Sequence, residues 1–138
     1  MKKHLTLVVG FLAILGISSC TKEEVIEQIN PNRTVWHTIR SADWRPDPEL
    51  DDRWFVEIPV PEIDELIMDH GTVMVDISFD GTIFEPMTTV YNGLAYRFDY
   101  SLGLLVIDVM YADGLGGDLA RPTEADIKII LVDSQSLN

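Results

Sequence analysis

Along residues 34–132 the dominant pattern is alternation with a period of two. Val73, Val75, Ile77 and Phe79 share one side of a run whose other side carries Thr72, Met74, Asp76 and Ser78. Trp54, Val56, Ile58 and Val60 alternate with Arg53, Phe55 and Glu57, and Tyr96, Phe98 and Tyr100 with Arg97 and Asp99. Leu105, Ile107, Val109 and Tyr111 alternate with Val106, Asp108 and Met110, and Ile127, Ile129 and Leu131 with Asp126, Lys128 and Ile130. The region opens with Val35, His37 and Ile39 opposite Trp36 and Thr38. Successive side chains of an extended strand point to opposite faces, so this pattern predicts strands that each bury one face.

The punctuation agrees. Asp80-Gly81 and Asn92-Gly93 are dipeptides suited to two-residue hairpins, where both central residues take positive φ. They predict pairing of residues 72–79 with 82–85, and of 87–91 with 94–100. Ser101-Leu102-Gly103 and residues 113–118 mark further turns. One stretch departs from the period. Ile63, Leu66, Ile67 and His70 are spaced as in a helix, Pro61 suits a first helical turn, acids stand near its positive end, and Gly71 suits the C-cap. A helix of about two turns, laid over one end of the sheet, follows. Seven or eight short strands with turns every 8–12 residues predict a mainly β fold. The expected architecture is an antiparallel β-sandwich, Greek-key or immunoglobulin-like, with one short helix. A closed barrel is the alternative that periodicity leaves open.

The first 33 residues read differently. Lys2 and Lys3 precede residues 5–17, which are largely apolar and uncharged. A helix of that length rises about 20 Å, short of a hydrocarbon core of ~30 Å. A basic start and a short apolar stretch predict a secretory signal. Its end, Ile17-Ser18-Ser19-Cys20, resembles the bacterial lipobox. The resemblance implies cleavage between Ser19 and Cys20, a diacylglyceryl group on the Cys20 sulfur, and a further acyl chain such as palmitate on the new amine. One chain holds a protein to a bilayer only marginally, whereas two or three give a lasting anchor. Cys20 is the only cysteine, so no internal disulfide forms and stability must come from the core. Residues 1–19 are thus expected to be a signal peptide, 20–33 a lipidated cysteine with a flexible tether, and 34–138 the β-sandwich domain.

Two further resemblances concern location. Glu23-Glu24, just after the cysteine, resembles the surface-export signal of Bacteroidota lipoproteins, which implies the outer face of the outer membrane. Asp43-Trp44, the run Val60-Pro61-Glu62-Ile63 through Gly71-Thr72-Val73-Met74-Val75, Tyr100-Ser101-Leu102-Gly103 and the closing strand 127–132 resemble a group of small Bacteroidota cell-surface lipoproteins with a β-sandwich domain of unknown function. That likeness covers most of residues 34–133 and is made of structural residues. It implies a fold and a location and carries no catalytic or ligand residue across.

Charge narrows the partners. The chain has 10 basic and 23 acidic side chains, a net charge of −13. Without residues 1–19 it keeps 8 basic side chains, and the net charge becomes −15. Nucleic acid is disfavoured as a partner, because its backbone wants Lys and Arg. Electrostatic docking on anionic lipid is disfavoured for the same reason. The membrane partner expected is the bilayer reached through Cys20.

Candidate chemistry is sparse. His37 and His70 are the only histidines after residue 19, too few for a zinc site, and His70 already suits a helix C-terminus. Asp47, Glu49, Asp51 and Asp52 crowd one loop, and residues 113–118 join two acids to three glycines; neither spacing matches a calcium loop. No nucleophile elbow is present, and with 23 carboxylates an acid/base pair is available by composition alone. No cofactor or metal is expected. The aromatics mostly fall on apolar strand faces. Trp36, and Trp44 in an irregular segment, are the two less well explained and form the candidate ligand platform. The expected function is a non-enzymatic, lipid-anchored interaction module of the cell envelope, contacting a protein or a glycan. The alternatives are a small carbohydrate-active or accessory enzyme with paired carboxylates, and a structural subunit of an envelope or fimbria-like assembly.

Overall fold

A computed structural model describes residues 32–134. The signal segment, Cys20 and the tether as far as residue 31 lie outside the described residues. The strands are β1 (Arg33–Ile39), β2 (Arg45–Pro46), β3 (Arg53–Pro59), β4 (Thr72–Ser78), β5 (Glu85–Pro86), β6 (Thr89–Tyr91), β7 (Leu94–Ser101), β8 (Leu104–Tyr111) and β9 (Ala125–Val132), with one α-helix, α1 (Glu65–His70).

The strands form two separate antiparallel sheets, one ordered β1-β9-β4-β5 and the other β2-β3-β8-β7-β6. Strands β6, β7 and β8 follow one another as hairpins, and β3 lies against β8 although its connection to that run passes through the other sheet. This is Greek-key connectivity. The predicted β-sandwich is therefore the observed fold.

The alternating pattern becomes two inner faces. Ile39, Val73, Val75, Ile77, Ile127, Ile129 and Leu131 from one sheet meet Val56, Ile58, Tyr96, Leu105, Ile107 and Val109 from the other in a single buried cluster. Each fully buried aliphatic side chain contributes roughly 1.5–3 kcal/mol, so this cluster stabilises the domain without a staple. The outer faces are pinned by charge. Asp108 projects outward from β8 yet is only 2% exposed. Arg97 covers it from β7, its Nη2 donating at 2.8 Å, and the Arg53 guanidinium of β3 stands 3.7 Å away. One carboxylate thus ties three neighbouring strands together.

The chain enters the domain at the end where β1 begins. That end is closed by α1 and the turn before it. Ile63 and Ile67 are buried there. The helix begins later than the spacing predicts, at Glu65 rather than near Pro61. Residues 60–63 are tied to the β7–β8 turn, with Val60 N–H donating to Gly103 O at 2.9 Å and Gly103 N–H to Ile63 O at 2.8 Å. The N-cap is consequently Asp64, whose carboxylate accepts from Ile67 N–H at 3.0 Å. That N–H, with Arg33 nearby, holds the Asp64 carboxyl below its ordinary range. Gly71 is the C-cap as expected, but for a different reason. Its φ of −103° is open to any residue; a Cβ there would lie 2.6 Å from Val132 O and 2.9 Å from Ile67 Cα. Space, not torsion, requires glycine.

The far end holds the loops. Asn92-Gly93 forms the predicted hairpin turn, both residues at positive φ (50° and 79°), with Tyr91 paired to Leu94. Asp80-Gly81 does not. β4 is followed by a wider loop, and pairing resumes only with β5, Ile77 opposite Glu85. Gly81 is left-handed but Asp80 is not. Instead the Asp80 carboxylate accepts from Thr82 N–H and Ile83 N–H, both at 2.8 Å, and this side-chain turn replaces the tight backbone one.

Candidate functional site

Ring against ring, an aromatic series runs through the far end. Tyr91 stacks on Phe79 with centroids 4.2 Å apart, Phe79 meets Tyr96 edge-on at 5.1 Å, and Tyr96 meets Trp44 edge-on at 6.5 Å. Stacking on Phe79 fixes the orientation of the partly exposed Tyr91 ring. Tyr96 is buried, which pushes its phenol up to about 12, with Tyr91 a lesser contributor, so it stays protonated at neutral pH.

Beside this series lies the irregular segment 118–123, between β8 and β9. Irregular backbone has no ladder to satisfy its carbonyls. Here side chains do so. Tyr111 Oη donates to Asp118 O, Trp54 Nε1 to Leu119 O at 2.7 Å, Ser41 Oγ to Pro122 O at 2.8 Å and Trp44 Nε1 to Thr123 O at 3.2 Å. Leu119 and Pro122 turn inward and are buried. A segment without secondary structure is thereby fixed from four directions.

Between this segment and the β6–β7 hairpin is a cleft of about 300 Å³, lined by Tyr91, Asn92, Tyr96, Tyr111 and Arg121 among others. The Arg121 guanidinium sits over the Trp54 ring, 5.2 Å from its centroid. Two smaller hollows continue from it in series. One, of about 130 Å³, is lined by Ile77, Phe79, Ile83 and Tyr91; the other, of about 270 Å³, by Phe79, Asp80, Glu124 and Asp126. The shared Phe79, Asp80 and Tyr91 make the three a continuous feature of one end of the sandwich.

Trp44 is not part of a ligand platform. It is 1% exposed, packed in the core, and its indole N–H is spent on Thr123. Its place in an irregular segment hid this, since no strand period marked its inward side. Trp36 is 61% exposed on the outer face of β1, edge-on to Phe84 at 5.4 Å. The two tryptophans are not brought together. His37 lies in β1 and His70 at the last position of α1, and no group of three metal-ligating side chains occurs among the described residues. The acidic loop is used locally. Asp47 accepts from Glu49 N–H at 2.8 Å and faces Arg53 at 3.5 Å.

The acid-lined hollow holds its carboxylates in local bonds. Asp80 is held near 2, chiefly by the Ile83 and Thr82 N–H groups. Asp126 accepts from Thr38 Oγ1 at 2.7 Å. The shift at Asp80 comes from bonds that belong to its own loop. The cleft residues themselves escaped sequence reasoning. Tyr91, Tyr96 and Tyr111 fall in strand alternation, and Arg121 stands in a stretch with no periodic signal. Compared with known protein families, curated proteins and solved structures, the chain matches none.

Proposed function

We propose that the chain is a lipid-anchored interaction module of the cell envelope, moored through Cys20 and offering its tyrosine-lined cleft to a protein or glycan. The observation that carries this reading is placement. The chain enters at Arg33, and the cleft, its two adjoining hollows and the rigid 118–123 segment all stand at the opposite end. β1 alone separates the two ends by roughly 20 Å at 3.4 Å per residue. An anchor at one end and a built cleft at the other suit a protein that reaches outward from a bilayer. No helix among the described residues is long and apolar enough to cross a membrane. An anchor supplied by acyl chains needs no such helix. The test has two arms. Metabolic palmitate labelling is expected to mark the natural chain and not Cys20→Ala, and a glycan array with envelope pull-down is expected to yield a ligand lost on Tyr91→Ala. Equal labelling of both chains, or a ligand indifferent to Tyr91, overturns the reading.

One observation favours the assembly-subunit alternative. Among the described residues β1 is bonded on one side only, to β9, leaving a seven-residue edge with Trp36 beside it. Such an edge accepts an added strand. Concentration-dependent oligomers abolished by a proline at His37 would support it; a monomer at all concentrations would remove it.

A further inference from the structure

We propose that the Arg121 cleft binds a sugar bearing a carboxylate, a hexuronic acid unit at the end of a saccharide. This rests on the interaction-module reading and names its ligand class. The first ground is charge. Arg33, Arg40, Arg45, Arg53, Arg97 and Lys128 each stand within 4.0 Å of a carboxylate. Arg121 is the one cation among the described residues with no such partner, in a chain where acids outnumber bases 23 to 10. With that excess of carboxylates, a guanidinium left without one is available for an acid from outside.

The second ground is preorganisation. Arg121 lies over the Trp54 ring, and the Trp54 indole N–H holds Leu119 O, two residues away on the same segment. The guanidinium and its platform are thus fixed to one piece of backbone. A planar fork of donors matches a carboxylate in two parallel hydrogen bonds, and an ordered fork loses less entropy on binding.

The third ground is the walls. Tyr91 presents a ring with its hydroxyl, Tyr111 a ring whose hydroxyl already donates to Asp118 O, and Asn92 an amide, around a space of about 300 Å³. A pyranose has an apolar face for a ring and a rim of hydroxyls for polar groups, and pockets of this size begin at roughly 300 Å³. The net charge sets a limit. At −13 the protein repels a polyanion, while a single carboxylate in contact with Arg121 lies well inside the screening length of about 8 Å at physiological salt.

The experiment titrates the full chain, in detergent micelles, with cellobiouronic acid, with cellobiose and with a tetra-aspartate peptide, followed by calorimetry. The two sugars differ only in a carboxylate replacing a hydroxymethyl group. The acid sugar is expected to bind at least about tenfold tighter than cellobiose, as a charge-assisted pair implies. Arg121→Gln should erase that preference, Arg121→Lys should keep part of it, and Tyr91→Ala should weaken both sugars; thermal melts establish that each variant is folded. Equal binding of the two sugars, or a preference that survives Arg121→Gln, overturns the proposal. Peptide displacing both sugars overturns the saccharide assignment while leaving an interaction module. Failure of all three ligands, with an array ligand still dependent on Tyr91, likewise overturns the hexuronate and spares the broader reading.

Discussion

The two ends of this sandwich are closed by different means. At the entry end, Ile63 and Ile67 fill the space between the sheets and backbone bonds from Val60 and Gly103 seal the turn. At the far end Trp44, Leu119 and Pro122 also turn inward, but from irregular segments rather than from a helix. Backbone carbonyls are held by Trp44, Trp54, Tyr111 and Ser41, and a cleft lined by Tyr91, Tyr96 and Tyr111 stays open beside the segment they hold. Apolar closure is dense, because interiors pack like crystals. Closure by directional hydrogen bonds fixes backbone while leaving concave surface open, which is the condition for a preformed site.

The contrast is broken most directly at Gly71. Gly71→Ala pushes a methyl onto Val132 O and Ile67 Cα, both backbone, and is expected to cost about 2–3 kcal/mol in chemical denaturation while leaving binding by the folded fraction intact. At the other end the expected pattern inverts. Trp44→Phe keeps a ring against Tyr96 but loses the bond to Thr123 O, costing about 1 kcal/mol of stability, and it should free segment 118–123, seen as faster amide exchange and weaker ligand binding. If Gly71→Ala weakened binding while Trp44→Phe did not, the division between the ends would be wrong. The smallest effect is acidification. Asp80 is lowered to about 2 from 3.8, so its share of stability is complete above about pH 4 and is lost as pH falls through about 2. The protection factors of the Thr82 and Ile83 amides, corrected for the intrinsic pH dependence of exchange, should fall over that window, and Asp80→Ala should abolish that fall.

The strands were legible because each buries one face against a common core, and burial leaves a period. The Asn92-Gly93 turn was legible because positive φ at two adjacent positions demands those residue types. The Asp80 loop deceived because Asp-Gly also serves a turn made by the carboxylate, and sequence does not say whether the oxygen or the backbone closes it. The helix was legible in spacing but not in length, since Gly103, some forty residues on, holds the preceding turn out of helical conformation. The cleft was illegible for a related reason. Trp44, Trp54 and Arg121 come together only through segment 118–123, and its order comes from distant donors rather than from any repeat.

One feature of the sheet has a mechanical meaning. β1 is the strand through which the chain arrives, and its single neighbour among the described residues is β9, joined over seven residue pairs from Arg33–Leu131 to Ile39–Ala125. Ladder bonds lie across the strands. With a ligand held at the far cleft as proposed, a tug ahead of Arg33 would run along β1 and load every rung at once in shear. Rungs strained together resist far better than rungs peeled one by one, so the domain is braced along the line by which it would be dragged.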